Sequence, residues 1–237
     1  MNTVAEVMAE LKKKGTEQTR LTYARHGAPL DKIFGVKVGD MKIILKKIKG
    51  NQPLAMELYA TGNVDAMYLA GLVADGAKMS KKEIEKWAKD ATWRMLSEYT
   101  VPWVATENPE GRQLAMKWIS SKDPKIAATG WATYGSIAGI LPDEQLDLAE
   151  IESLLKKVTS DIDKASDRVK YTMNGFVISV AAFVKPLLAK AKAAAKKIGA
   201  LSIDMGDTSC KVPVAADYIA KLEAASRIGV KRKMVKC

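Results

Sequence analysis

The sequence predicts an all-α fold of stacked antiparallel helix pairs, that is, an α-solenoid or α-α superhelix. Apolar residues recur at helical spacing along most of the 237 residues, and strand-like alternation is confined to the stretch 201–204. Helix pairs recur about every 35–45 residues, a spacing typical of helical repeats and not of a four-helix bundle. We expect a single domain over residues 1–237, with a basic C-terminal extension from about residue 199.

Helix start signals support the elements of the first half. The predicted helices there are 3–14, 16–26, 41–48, 54–59, 64–74 and 81–89. Asp40 and Asn63 are the expected N-caps of the third and fifth of these helices. Ser80 is followed three residues later by Glu83, which predicts a capping box at the sixth.

The second half repeats the same pattern, with prolines near several helix starts. The predicted helices are 93–99, 111–119, 125–138, 144–158, 167–182, 190–198 and 215–225. Short links join them, as in a repeat protein. Such a stack forms a concave surface suited to a long ligand.

Composition excludes several classes of protein. No apolar run reaches the roughly 18 residues of a membrane span, and the N-terminus lacks a signal-peptide pattern. We therefore expect a soluble, cytoplasmic protein that does not contact a membrane. One histidine and two cysteines, Cys210 and Cys237, do not make a conventional zinc site, and the motifs of zinc proteases, α/β-hydrolases and P-loop enzymes are missing. We expect neither a metal nor another cofactor.

The net charge of +11 and the pI near 9.5 indicate a polyanionic partner. Residues 181–237 hold 12 Lys or Arg against 4 Asp or Glu. Within them, Lys231, Arg232 and Lys233 are candidate phosphate contacts. The alternative is that these cations only keep the tail soluble.

Several segments resemble the DNA alkylation repair family, the alkylpurine DNA glycosylases built from HEAT-like repeats. The segments that carry the resemblance span nearly the whole chain: Tyr23–Gly27, Phe34–Lys42, Leu54–Tyr59, Ala66–Ala70, Trp87–Trp93, Arg168–Phe176 and Asp204–Pro213. The resemblance implies a HEAT-like repeat fold. It also implies hydrolysis of the N-glycosidic bond of N3- or N7-alkylated purines in duplex DNA, assisted by a carboxylate, tryptophans and an arginine.

The resemblance places Trp93 at the family's first active-site tryptophan. Four residues on, where the family has its catalytic aspartate, this chain has Ser97. Glu98 is adjacent in sequence but about 100° away around an α-helix. Trp93 and Ser97 are therefore the candidate catalytic residues, and Ser97 lacks the negative charge that stabilises an oxocarbenium-like sugar.

Other family positions point to DNA contacts. The arginine position falls at Ala128 or Thr129, and the later tryptophan position holds Phe176. Trp93 and Trp103 flank a segment that contains Arg94. We therefore expect a basic concave face on which Trp93, Arg94, Trp103, Thr129 and Phe176 contact nucleic acid together with the cations of the tail.

The function these observations favour is binding of damaged or distorted duplex DNA with weak or lost base excision. Two alternatives stay open: an active alkylpurine glycosylase that uses Glu98, and a non-enzymatic scaffold that binds a protein. The sequence does not decide the lesion, the preference for DNA over RNA, the oligomeric state, or the role of Cys210 and Cys237.

Overall fold

The computed structural model describes residues 1–236, so Cys237 lies outside the described residues. The described residues form thirteen α-helices and no strand, which confirms the all-α prediction. The helices are α1 (Val4–Lys14), α2 (Glu17–Arg25), α3 (Val38–Ile48), α4 (Gln52–Ala60), α5 (Val64–Val73), α6 (Lys81–Asp90), α7 (Val101–Glu107), α8 (Gly111–Ile119), α9 (Pro124–Ile140), α10 (Leu148–Asp161), α11 (Asp167–Phe183), α12 (Leu188–Ile198) and α13 (Ala215–Ala224). A π-helix, Leu96–Thr100, directly precedes α7.

The helices group into two compact units. The first unit contains Met1–Pro109, Gly206–Ser209 and Lys236; the second contains Glu110–Met205 and Cys210–Val235. The expectation of a single domain over residues 1–237 stays a prediction.

Local capping explains most helix starts. Asn63 accepts the N–H of Ala66 at 3.1 Å, and the Ser80–Glu83 capping box is present as predicted. The prediction at α3 was wrong: the N-cap is Lys37, with no side-chain cap, and Asp40 lies in the first turn. There the Asp40 carboxylate interacts favourably with the positive end of the helix dipole.

A buried carboxylate organises the first unit. Oδ2 of Asp65, on α5, accepts the N–H groups of Phe34 at 2.6 Å and Gly35 at 3.0 Å, and Oδ1 accepts that of Val36 at 3.1 Å. Burial raises the pKa of Asp65 above its ordinary value, and the three N–H donors oppose that rise. Gly35 has a positive φ, and a Cβ there would lie 2.5 Å from the Arg20 amide nitrogen. The segment from Phe34 is thus a loop shaped around Asp65.

In the second unit, α8 packs on α9, and α9 packs along α11. Gly130 allows the first contact, because a Cβ there would lie 2.5 Å from the backbone nitrogen of Ile119. Trp131 and Phe176 fill the core between α9 and α11, with ring centroids 5.2 Å apart. The helices α9 and α11 therefore share one buried core.

Within the described residues, no single helix has the length and apolar character of a membrane span. Only α11 and the adjoining segment Lys185–Ile198 meet that criterion together, across a bend of 114°.

Candidate nucleic-acid interface

Trp93 lies in the first unit and is 8% exposed. Its indole N–H donates to the carbonyl of His26 at 2.8 Å, and its ring packs on Tyr23 with centroids 5.4 Å apart. Trp93 therefore connects the end of α2 to the helical segment that leads into α7. The sequence alone does not reveal this contact, because 67 residues separate the two partners.

Arg94 contacts the side chain of the same residue, His26. Its guanidinium nitrogen lies 2.6 Å from Nδ1 of His26. Burial, and then the charge of Arg94, lower the pKa of His26 below its ordinary value. Since a guanidinium has only donors, Nδ1 is the acceptor of this contact, and the lowered pKa favours the neutral imidazole that it requires. His26 is the C-cap of α2, so it lies at the end of the helix predicted over residues 16–26.

Ser97 and Glu98 both lie on the π-helix Leu96–Thr100. Ser97 follows Trp93 by one α-helical turn, since its N–H donates to the Trp93 carbonyl at 3.1 Å. The helix then widens, and the N–H of Val101 donates to the carbonyl of Leu96. The side chains of Ser97 and Glu98 are both buried, with exposed fractions of 4% and 7%. Ser97 has no carboxylate and the carboxylate of Glu98 is buried, so the two residues present no exposed carboxylate next to Trp93.

The other aromatic and polar candidates are buried in their own units. Trp103 packs edge-on against Tyr68, with centroids 5.3 Å apart. Thr129 is fully buried and donates to the carbonyl of Lys125 at 2.9 Å, one turn back on α9. Phe176 lies in the core of the second unit. Their roles in DNA contact stay predictions.

The basic tail is held by contacts inside the second unit. Lys231 donates to the carbonyl of Ala138 at 2.9 Å and lies 2.8 Å from a carboxylate oxygen of Asp143. The guanidinium of Arg232 lies 4.9 Å from the ring centroid of Phe183, and the side chain is exposed. Lys233 is exposed as well. Arg232 and Lys233 are therefore accessible to a ligand, whereas Lys231 is engaged.

A further candidate set lies on α11, and we call it the α11 stripe: Arg168, Tyr171 and Gly175, at positions i, i+3 and i+7. The guanidinium of Arg168 lies over the Tyr171 ring, 4.4 Å from its centroid, and all three residues are partly exposed. Gly175 has a helical backbone, and a Cβ there would have no atom within 4 Å. Nothing in the described residues requires a glycine at this position.

Sequence reasoning noted this segment only as part of a resemblance. The helical spacing of a cation, an aromatic ring and a glycine was visible in the sequence. The sequence did not show that all three residues are partly exposed to solvent.

The described residues contain no group of three or more His, Cys, Asp or Glu side chains placed to hold a metal ion. Cys210 is exposed.

Comparisons with known proteins identify the family. The model of the family described as DNA alkylation repair enzyme matches residues 7–196. Two curated relatives, Lin0241 from Listeria innocua and Lmo0209 from Listeria monocytogenes, are 34% and 32% identical over 227 residues, covering 93% of this chain and 97% of each relative. Both are described as uncharacterised proteins.

A solved structure matches with a TM-score of 0.91 and 38% identity, covering 99% of this chain and 100% of the other. That protein is described as part of a new family related to the HEAT-like repeat DNA glycosylases, with affinity for branched DNA structures. The likeness confirms the predicted HEAT-like repeat fold. This chain belongs to the DNA alkylation repair family.

Proposed function

We propose that this protein binds branched or distorted DNA through the DNA backbone and excises alkylated bases weakly or not at all. The affinity of the similar solved protein for branched DNA supports the first half of the proposal. The net charge of +11 supports it as well, because counterion release from phosphates drives such binding. The predicted cytoplasmic location is part of the same proposal.

The single observation that carries the proposal is the α11 stripe. A glycine in a helix interior costs about 0.5–1 kcal/mol relative to alanine. At Gly175 no close neighbour and no positive φ accounts for that cost. Glycine is favoured where another molecule must approach a backbone closely. Arg168 and Tyr171 lie on the same face and offer a phosphate contact and a stacking platform.

Branched DNA suits this arrangement better than a regular duplex. A flat aromatic ring stacks on unstacked bases, which are accessible at a branch point and not within a continuous helix. The guanidinium of Arg168 lies over the Tyr171 ring and also donates to Sδ of Met205 at 3.8 Å, so the cation is held beside the ring at the partly exposed face. Neither contact reads base sequence, so the recognition we expect is of DNA structure.

The environment of Trp93 supports weak or lost excision. The aspartate expected from the family is replaced by buried Ser97, and the neighbouring carboxylate of Glu98 is buried on the π-helix. Loss of one preorganised group that stabilises the transition state typically lowers the rate by about 10²–10³. The indole N–H of Trp93 is also engaged by His26.

The test compares a four-way junction with a linear duplex of the same length, by fluorescence anisotropy at about 50 mM and about 150 mM salt. Base stacking on an aromatic ring is worth about 1–3 kcal/mol, so Tyr171→Ala should weaken junction binding by about 5- to 150-fold. Tyr218→Ala is the matched control, because Tyr218 is an exposed tyrosine (46%) on another helix of the same unit.

Two results would overturn the proposal. The first is a wild-type protein that binds neither DNA at the lower salt. The second is efficient release of N7-methylguanine or N3-methyladenine from methylated duplex, which would establish the glycosylase alternative; Glu98→Gln would then test whether Glu98 is the acid.

A further inference from the structure

Positive charge is also concentrated near the N-terminus. Residues 12–50 contain eleven Lys or Arg and three Asp or Glu, a net charge of +8. In contrast, residues 51–180 contain fifteen Lys or Arg and eighteen Asp or Glu, a net charge of −3. The excess of positive charge therefore lies in this N-terminal segment as well as in the C-terminal tail.

Most of these N-terminal cations have no carboxylate partner. Lys14 lies 4.0 Å from Asp40, and Arg20 lies 3.1 Å from Glu17. The other nine cations of the segment are exposed and form no ion pair within residues 1–236: Lys12, Lys13, Arg25, Lys32, Lys37, Lys42, Lys46, Lys47 and Lys49. Their charge is therefore fully available to an anion outside the chain.

Three of these lysines share one side of α3. Lys42, Lys46 and Lys49 follow at i, i+4 and i+7, and like charges at that spacing destabilise a helix. Other helices of the chain place opposite charges at i and i+4, as Lys86 does with Asp90 at 2.5 Å and Lys157 with Asp161 at 2.7 Å. Lys46 lies in the last turn of α3 and Lys49 is its C-cap, where the helix dipole favours cations, but none of the three lysines gains the i,i+4 ion pair that other helices of the chain form.

An exposed glycine and an exposed apolar residue accompany the lysines. Gly39 lies in the first turn of α3, and a Cβ there would have no atom within 4 Å. Its φ is not positive, so its backbone does not require glycine either. Ile43, one turn on, is 48% exposed. Gly39, Lys42, Ile43, Lys46 and Lys49 form what we call the α3 face.

We propose that the α3 face binds the phosphate backbone of a DNA duplex, as a contact in addition to the α11 stripe. The inference rests on the proposed function and extends it to a second surface. The α-helical rise of 1.5 Å per residue spreads the three ammonium groups over about 10 Å of axis, so they meet several phosphates of one strand. Gly39 allows close approach, and Ile43 contacts the sugar edge.

Salt dependence measures the number of phosphates contacted. For duplex DNA the slope of log K against log salt is about −0.9 for each phosphate neutralised. We compare the triple variant Lys42→Gln, Lys46→Gln, Lys49→Gln with a control triple of equal charge change, Lys86→Gln, Lys157→Gln, Lys192→Gln. The control lysines are all paired with carboxylates.

The α3 variant should lower the magnitude of the slope for a four-way junction by about 2–3, and the control should lower it by less than about 1. A charge-preserving variant, with arginine at the same three α3 positions, should keep the wild-type slope. Circular dichroism spectra and melting curves that match the wild type show that each variant is folded.

An α3 variant whose slope and affinity equal those of the control overturns the inference. So does a variant that binds junction DNA normally while losing affinity for phosphatidylserine vesicles, because the α3 face would then be a membrane-binding surface. Failure of the wild type to bind any DNA overturns the proposed function itself, and the two failures are therefore distinguishable.

Discussion

Gly175→Ala separates stability from DNA binding at the α11 stripe. Residue 175 lies in the middle of α11, where alanine is favoured over glycine by about 0.5–1 kcal/mol. The added Cβ has open space around it, so nothing offsets that gain. We expect the free energy of unfolding to rise by this amount and the melting temperature to rise by about 1–4 °C.

The same methyl group projects from the α11 face that we assign to DNA. It keeps a phosphate or sugar from reaching the helix backbone, so junction affinity should fall about three- to tenfold, or by about 0.6–1.4 kcal/mol. Urea unfolding followed by circular dichroism measures the first effect, and anisotropy titration with a four-way junction measures the second. Increased stability with decreased binding is the expected combination.

Gly130→Ala is the matched control for the packing argument. A Cβ at position 130 would lie 2.5 Å from the backbone nitrogen of Ile119, so α8 must move by about 0.9 Å to restore an ordinary 3.4 Å contact. Overpacking of this kind costs about 1–3 kcal/mol and outweighs the helix-propensity gain. The reasoning is refuted if both alanines change stability equally, or if Gly175→Ala binds junction DNA as tightly as the wild type.

Three further substitutions test hydrogen bonds within the first unit. Trp93→Phe replaces the indole with a smaller aromatic ring that has no donor for the His26 carbonyl, and should lower the free energy of unfolding by about 1–3 kcal/mol in urea unfolding; an unchanged midpoint would contradict the assigned hydrogen bond. His26 is the one histidine of the chain, so its NMR titration is unambiguous and should give a pKa below 6.5, which Arg94→Gln raises. The free energy of unfolding should fall as the pH drops below 6.5, because the unfolded state binds the proton first. A wild-type pKa at or above 6.5 would contradict this account. Asp65→Asn leaves at least one buried N–H without an acceptor and should lower stability by about 1–3 kcal/mol, whereas a loss below about 0.5 kcal/mol would show that the Phe34 loop does not depend on the carboxylate.

The sequence predicted those parts of the fold that local interactions determine. The capping box of Ser80 and the cap of Asn63 involve partners three residues apart, and both are present. Helix 144–158 in fact begins at Leu148, because Asp147 is the N-cap and a 3₁₀ turn, Asp143–Gln145, follows the proline. Boundaries of this kind depend on competition between neighbouring caps.

The environment of the candidate site depends on distant residues, which a single sequence does not reveal. Trp93 is buried because His26 and Tyr23 meet it from another helix. Lys231 is engaged because Asp143 and the end of α9 lie beside it. The π-helix that carries Ser97 has no sequence signal comparable to a cap. The lysines of α3 are visible in the sequence as a run, but only the structure shows that they have no carboxylate partners among the described residues.

The measurement that tests the central claim most directly is one anisotropy titration of the wild-type protein at about 150 mM salt, with a four-way junction and a linear duplex of equal length and charge. The account predicts that the junction binds at least about tenfold more tightly, because the α11 stripe requires the accessible bases and sharply turned backbone of a branch point. Equal affinity for the two DNAs, or binding to neither, would contradict it.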